Sequence, residues 1–193
     1  MPRITPTLPE LALPVASLAA LRRALNDEVG PDTAARVLQQ AGFAAGDALF
    51  SALAGRLGSG QNAPGQDADA AALGQLPGSI FWRRLSDLFA SRGWGRLHHE
   101  DLHPGVGCLE SSDWVEADPA AAANRPSCFF TAGILANVLG RTAGVPVGVL
   151  EVECRSRGDL RCRFIFGGSA AIDSVYAATL EGRTVEESLA ALV

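Results

Sequence analysis

The chain has 193 residues, 48 % of them apolar and 19 % charged, with a formal net charge of −5. That balance excludes a disordered chain and supports a packed core, while a pI near 5.2 leaves no basic footprint for nucleic acid. No apolar run reaches the roughly 18 residues of a membrane span, no secretory signal opens the sequence, and the four cysteines are then expected to be reduced in a cytoplasmic protein.

Residues 1–14, with prolines at 2, 6, 9 and 14, suggest an extended arm, and residues 15–193 a single domain. Val15, Leu18, Leu21 and Leu25 recur at helical spacing, predicting an amphipathic helix to about Glu28 that Gly30 and Pro31 end. A second helix follows to about Leu57, with Ala35, Leu38, Gly42, Ala45, Leu49 and Leu53 facing inward. Gly42 and Gly46 cost this helix about 1 kcal/mol each relative to Ala, which points to close approach of a neighbouring helix. The glycine-, alanine- and proline-rich stretch 58–78 reads as a flexible connection. Residues 79–92 predict a third helix with Phe81, Leu85, Leu88 and Phe89 inward, stopped by Gly93-Trp94-Gly95.

Residues 96–103 and 106–116 flank Pro104-Gly105 and predict a hairpin. After a loop at 118–127 comes a helix over 128–142, then strands at 145–154 and 160–166 joined through the turn residues Gly158-Asp159. The end, 170–192, reads as a helix, a break at Gly182, and a short helix capped by Thr184 with Glu186 and Glu187 in its first turn. The fold class is α+β with an antiparallel sheet.

Chemistry concentrates in the last third. Cys154 and Cys162 sit at facing ends of two paired strands, Glu151 and Glu153 lie just upstream, and Cys128 opens a helix, whose N-terminus favours a thiolate. Such a set can make a four-coordinate zinc site; buried filler and a cross-hairpin disulfide are the alternatives that spacing leaves open. His99-Glu100-Asp101-Leu102-His103 matches the H-E-x-x-H string, which chelates only on a helix. Glycines and Pro104 bracket it, and on a strand its histidines stand about 13 Å apart, so a polar strand is the expectation. No G-x-S-x-G elbow and no complete dinucleotide fingerprint occurs. Arg157-Gly158-Asp159 is a turn, and Trp82, Trp94, Trp114, Phe129 and Phe130 suit either a pocket or a core.

The stretch 126–168 resembles the 4-vinyl reductase domain family. The resemblance rests on Cys128 ahead of Ala132-Gly133, on Glu151 and Cys154 as Glu-x-x-Cys, on Gly158-Asp159, and on Cys162 and Phe164 as Cys-x-Phe. Val175-Tyr176 and Glu181-Gly182 extend it into the last helices. It implies a fold like that of vesicle-tethering TRAPP subunits, an antiparallel four-stranded sheet flanked by helices, usually as a homodimer. It also implies a small hydrophobic or aromatic ligand, and a structural zinc ion on Cys128, Glu151, Cys154 and Cys162, with Cys108 a free thiol. Phe81, Trp114, Phe129, Ala132 and Val149 are the expected ligand-pocket wall. The function expected is a non-catalytic sensor or binding domain. Its rivals are a role in tetrapyrrole vinyl reduction, for which no nicotinamide or flavin fingerprint is present, and a dimeric assembly module.

Overall fold

A computed structural model describes residues 13–55 and 66–192; residues 1–12, most of the expected arm, lie outside the described residues. Two helices come first, α1 (Val15–Val29) and α2 (Pro31–Gly55), broken by Gly30 at φ +77°. Helix α3 (Gln66–Gly74) lies in the stretch that composition assigned to a connection; its alanine-rich body favours helix, and Leu73 is buried against the core. Helix α4 (Gly78–Ala90) buries Phe81, Leu85, Leu88 and Phe89, the four residues its periodicity placed inward.

Strands β1 (His98–His103) and β2 (Val106–Ser111) form the first hairpin, with Gly105 at φ +81° in its turn. Helix α5 (Phe129–Ala143) then leads to β3 (Val147–Glu153) and β4 (Cys162–Gly168), the second hairpin. Helices α6 (Ser169–Leu180) and α7 (Val185–Ala190) close the chain, and α7 carries a Thr184–Glu187 capping box. The four strands form one antiparallel sheet in the order β1-β2-β4-β3, so the hairpins join through the β2–β4 ladder.

Alternation along the strands separates two apolar layers. Leu109 and Phe164 face α2, α4 and α5 in the larger core, whereas Cys108 and Ile165, their chain neighbours, face Ile172, Val175 and Leu189 on α6 and α7. The larger core depends on backbone-close packing of α2 on α5. A Cβ on Gly42 would strike the Phe130 carbonyl oxygen, and one on Gly46 would overlap the Asn137 side chain. Helix α2 turns a slightly different face inward than periodicity suggested, burying Ala34, Gly46 and Phe50 rather than Ala35 and Ala45.

Helix α1 departs further. Of its expected apolar face, Val15 and Leu21 are more than half exposed, and the buried residue is Arg22. The Arg22 guanidinium donates to the Glu116 carbonyl oxygen at 3.1 Å and to Ser127 Oγ at 3.3 Å, tying α1 to the loop before α5. A polar anchor sets the helix rotation here, where hydrophobic periodicity alone would have turned it about its axis.

Candidate metal centre and ligand groove

The N-terminus of α5 is satisfied by two buried carboxylates in place of a hydroxyl cap. Glu151 Oε2 accepts from Cys128 N at 2.8 Å, and Glu116 accepts from Phe130 N at 3.0 Å and Thr131 N at 2.8 Å. The Thr131 hydroxyl donates to the same Glu116 carboxylate and accepts from Trp114 Nε1 at 2.8 Å. Carboxylates suit this position, because unpaired N–H groups and the helix dipole attract negative charge. Burial nevertheless pushes Glu116 up to about 7.

Beside this cap lie Cys128, Glu151, Cys154 and Cys162, all buried, each offering a ligand atom within 4.8 Å of the other three. Cys128 Sγ stands 3.8 Å from Cys154 Sγ and 3.9 Å from Cys162 Sγ. These are not disulfide distances, and the thiols are free. A tetrahedral zinc site with Zn–S bonds of about 2.3 Å has S···S edges of about 3.8 Å, so the spacing suits such an ion. Glu151 Oε1 is buried with no hydrogen-bond partner, as befits a ligand oxygen. These four residues lie close enough to bind a metal ion.

The hairpin turn builds the rest. Cys154 N donates to Asp159 Oδ2 at 2.7 Å, and the Arg157 and Asp159 amides return to Cys154 O. Gly158 at φ +96° permits the tight return. Electrostatics reflect the crowding. Burial pushes the Cys128 thiol well up; burial, then negative charge at Cys154, pushes Glu151 up to about 9. Cys154 moves the other way, since the Cys128 and Cys162 thiols hydrogen-bond to its sulfur. A cation among these atoms reverses the upward pressure by replacing protons as their common partner. Cys108 sits apart, buried beneath α6 and α7 in the other core.

Of the residues expected to line a pocket, Trp114 is fully buried, packed on Phe89, Trp94 and Phe164. Phe129 is half-buried under the Arg125 guanidinium, and Ala132 is buried on α5. Phe81 packs edge-on against Trp82, and Val149 pairs across the ladder with Phe166. None of the five lines the main cavity, a groove of about 1000 Å³ open to solvent between α4 and the sheet end remote from the cysteines.

The groove walls are Trp82, His99 and Phe166 with Gly105, Gly107, Gly167 and Gly168. His99 and Trp82 are stacked, centroids 4.0 Å apart and planes within 8°. All three histidines of the chain line this groove. The H-E-x-x-H string is indeed a strand, and burial lowers the His99 pKa. A histidine-rich strand meeting glycine pairs at 105/107 and 167/168 is the signal the sequence holds for the groove; nothing in the sequence marks Glu116.

Residues 112–167 match the model of the 4-vinyl reductase domain family. No curated protein matches the sequence. Among solved structures, the chain is similar to the phenol-responsive sensory domain of the transcription activator PoxR with phenol. Identity there is 20 %, the TM-score is 0.58, and the match covers 82 % of this chain and 76 % of that one. It is also similar to a vinyl-4-reductase family protein from Methanocaldococcus jannaschii, with 18 % identity and a TM-score of 0.50 over 81 % of this chain and 82 % of the other. At these identities the likeness is one of fold, an α+β antiparallel four-stranded sheet with flanking helices. The chain therefore carries a 4-vinyl reductase domain, matched over residues 112–167 and set in the fold that these two structures share.

Proposed function

We propose that this protein is a sensor domain that binds a small hydrophobic or aromatic molecule, built around a structural zinc ion on Cys128, Glu151, Cys154 and Cys162. The observation that carries the reading is the convergence of four buried donor atoms within 4.8 Å. Three thiolates and a carboxylate suit zinc, and four protein ligands close its coordination, leaving no position for an activated water. The ion's chemistry is then cross-linking: it fastens the start of α5 to the β3–β4 hairpin. This chain's own residues orient the ligands, through the Cys128 amide on Glu151 and Asp159 on the Cys154 amide.

The ligand reading is supported by the apolar groove and by the fold shared with a phenol-responsive domain. Phe81 and Val149 back the groove by packing on Trp82 and facing Phe166, while Trp114, Phe129 and Ala132 form the packed layer toward the metal. A homodimer is supported by Val15, Leu21 and Val29 on α1 and by Val37 and Phe43 on α2, all exposed apolar side chains. No described helix is long and apolar enough to cross a membrane. Reduced thiols suit a cytoplasmic setting.

Elemental analysis beside native mass spectrometry tests the proposal: one zinc per chain, a dimer mass and retained aromatic ligand are expected. Turnover of a vinyl-bearing tetrapyrrole by the purified protein with a reductant would establish an enzyme instead.

A further inference from the structure

The groove is open along one side, which suits a ligand that keeps one end in water rather than a wholly apolar one. Its aromatic wall offers ring faces: Trp82 stacks on His99, and the Phe166 centroid is 5.3 Å from that of Trp82. Opposite, the space is held open by glycine. A Cβ on Gly168 would meet nothing within 4 Å, and a Cβ on Gly107 would run into the Phe166 ring, so Gly107 lets that ring lie across β2. Flat space beside aromatic faces selects a planar ring system.

Charge selects further. Four carboxylate and guanidinium side chains line the groove: Arg83, Asp87, Arg96 and Asp101. Asp87 is paired with Arg96 at 3.6 Å, and Asp101 lies 3.5 Å from His99 Nε2 with its side chain almost wholly in solvent. Arg83, exposed on α4, forms no ion pair among the described residues, and Trp82 Nε1 donates to nothing there. The groove's spare polar capacity is thus an indole N–H and a guanidinium one residue apart, both donors, in a chain of net charge −5. A carboxylate takes a charge-assisted hydrogen bond from Arg with better geometry than a neutral hydroxyl does.

From these observations we infer that the groove binds a planar aromatic carboxylate, its rings against Trp82, His99 and Phe166 and its carboxylate at Arg83. The inference rests on the small-molecule-binding reading above and adds the place and the charge of the ligand. The volume admits two or more fused rings.

Calorimetric titration of the metal-replete full chain with 2-naphthoate and with 2-naphthol tests it. Expected is 1:1 binding, with 2-naphthoate about tenfold tighter or better. Arg83→Gln removes that preference, and Gly168→Leu, at φ −55° where any residue fits, fills the groove and abolishes binding of both compounds. Metal content and melting temperature of each variant confirm that it has folded. Equal or tighter binding of 2-naphthol, or a preference that survives Arg83→Gln, overturns the carboxylate assignment. Binding untouched by Gly168→Leu overturns the groove while sparing the ligand-binding reading, and no binding of either compound overturns both.

Discussion

The sulfur atoms of Cys128 and Cys154 lie 3.8 Å apart although 26 residues separate them. One opens α5 and the other follows β3, so the centre they share joins the helix of the larger core to the second hairpin. Cutting that junction leaves three buried sulfurs and a buried carboxylate without a common partner. Cys154→Ser and Cys162→Ser are therefore expected to lose the metal and to destabilise the fold by several kcal/mol, because metal binding is folding free energy. Cys108→Ser, in the other core, keeps the metal. Metal content and thermal melts of the three variants check this; equal effects at all three contradict it.

Asp159 acts on the centre at one remove, through the 2.7 Å hydrogen bond from the Cys154 amide. Groups that orient a ligand without touching the ion are worth about 10–100-fold in metal affinity. Asp159→Ala is expected to weaken the metal by that factor while the protein still folds and binds it. Competition with a chromophoric chelator measures the shift, and an unchanged affinity would remove Asp159 from the site.

The α2–α5 contact predicts opposite signs for one substitution at two glycines. Gly42→Ala drives a methyl into the Phe130 carbonyl, and backbone cannot yield as a flexible side chain would, so a loss of about 1–3 kcal/mol is expected. Gly55, the last residue of α2, has no neighbour within 4 Å, and Gly55→Ala is expected to be neutral or stabilising by under about 1 kcal/mol. Denaturant titrations of both variants decide it.

Glu116 gives a pH dependence. Its carboxyl is raised in the folded chain to about 7 from an ordinary 4.5, with burial as the leading cause. The folded state thus binds more protons than the unfolded between those values, so this contribution is complete below about 4.5 and is lost as pH rises through about 7. Glu116→Gln cannot titrate. The stability difference between wild type and variant, both metal-replete, is expected to be larger at pH 5 than at pH 8, as measured by denaturant unfolding; a constant difference would place Glu116 ionised throughout.

Much of this fold is legible in local sequence. Both hairpin turns carry glycine at positive φ, α4 shows its inward face by spacing, and Thr184 with Glu187 marks the last helix. Glu151 and Glu153 look equivalent on a strand. A register shift between them gives Glu151 the Cys128 amide and Glu153 the Arg161 and Arg163 guanidiniums, a distinction local spacing does not contain. Arg22 is illegible because a buried arginine is defined by Glu116 and Ser127, about a hundred positions away. The groove escapes notice for the same reason: its glycines and histidines meet only when β1, β2 and β4 pair.

X-ray absorption at the zinc edge of the purified protein tests the metal centre most directly. Three sulfurs at about 2.3 Å and one oxygen at about 2.0–2.2 Å are expected. A shell of nitrogen and oxygen alone, or a folded protein that contains no zinc, would contradict it.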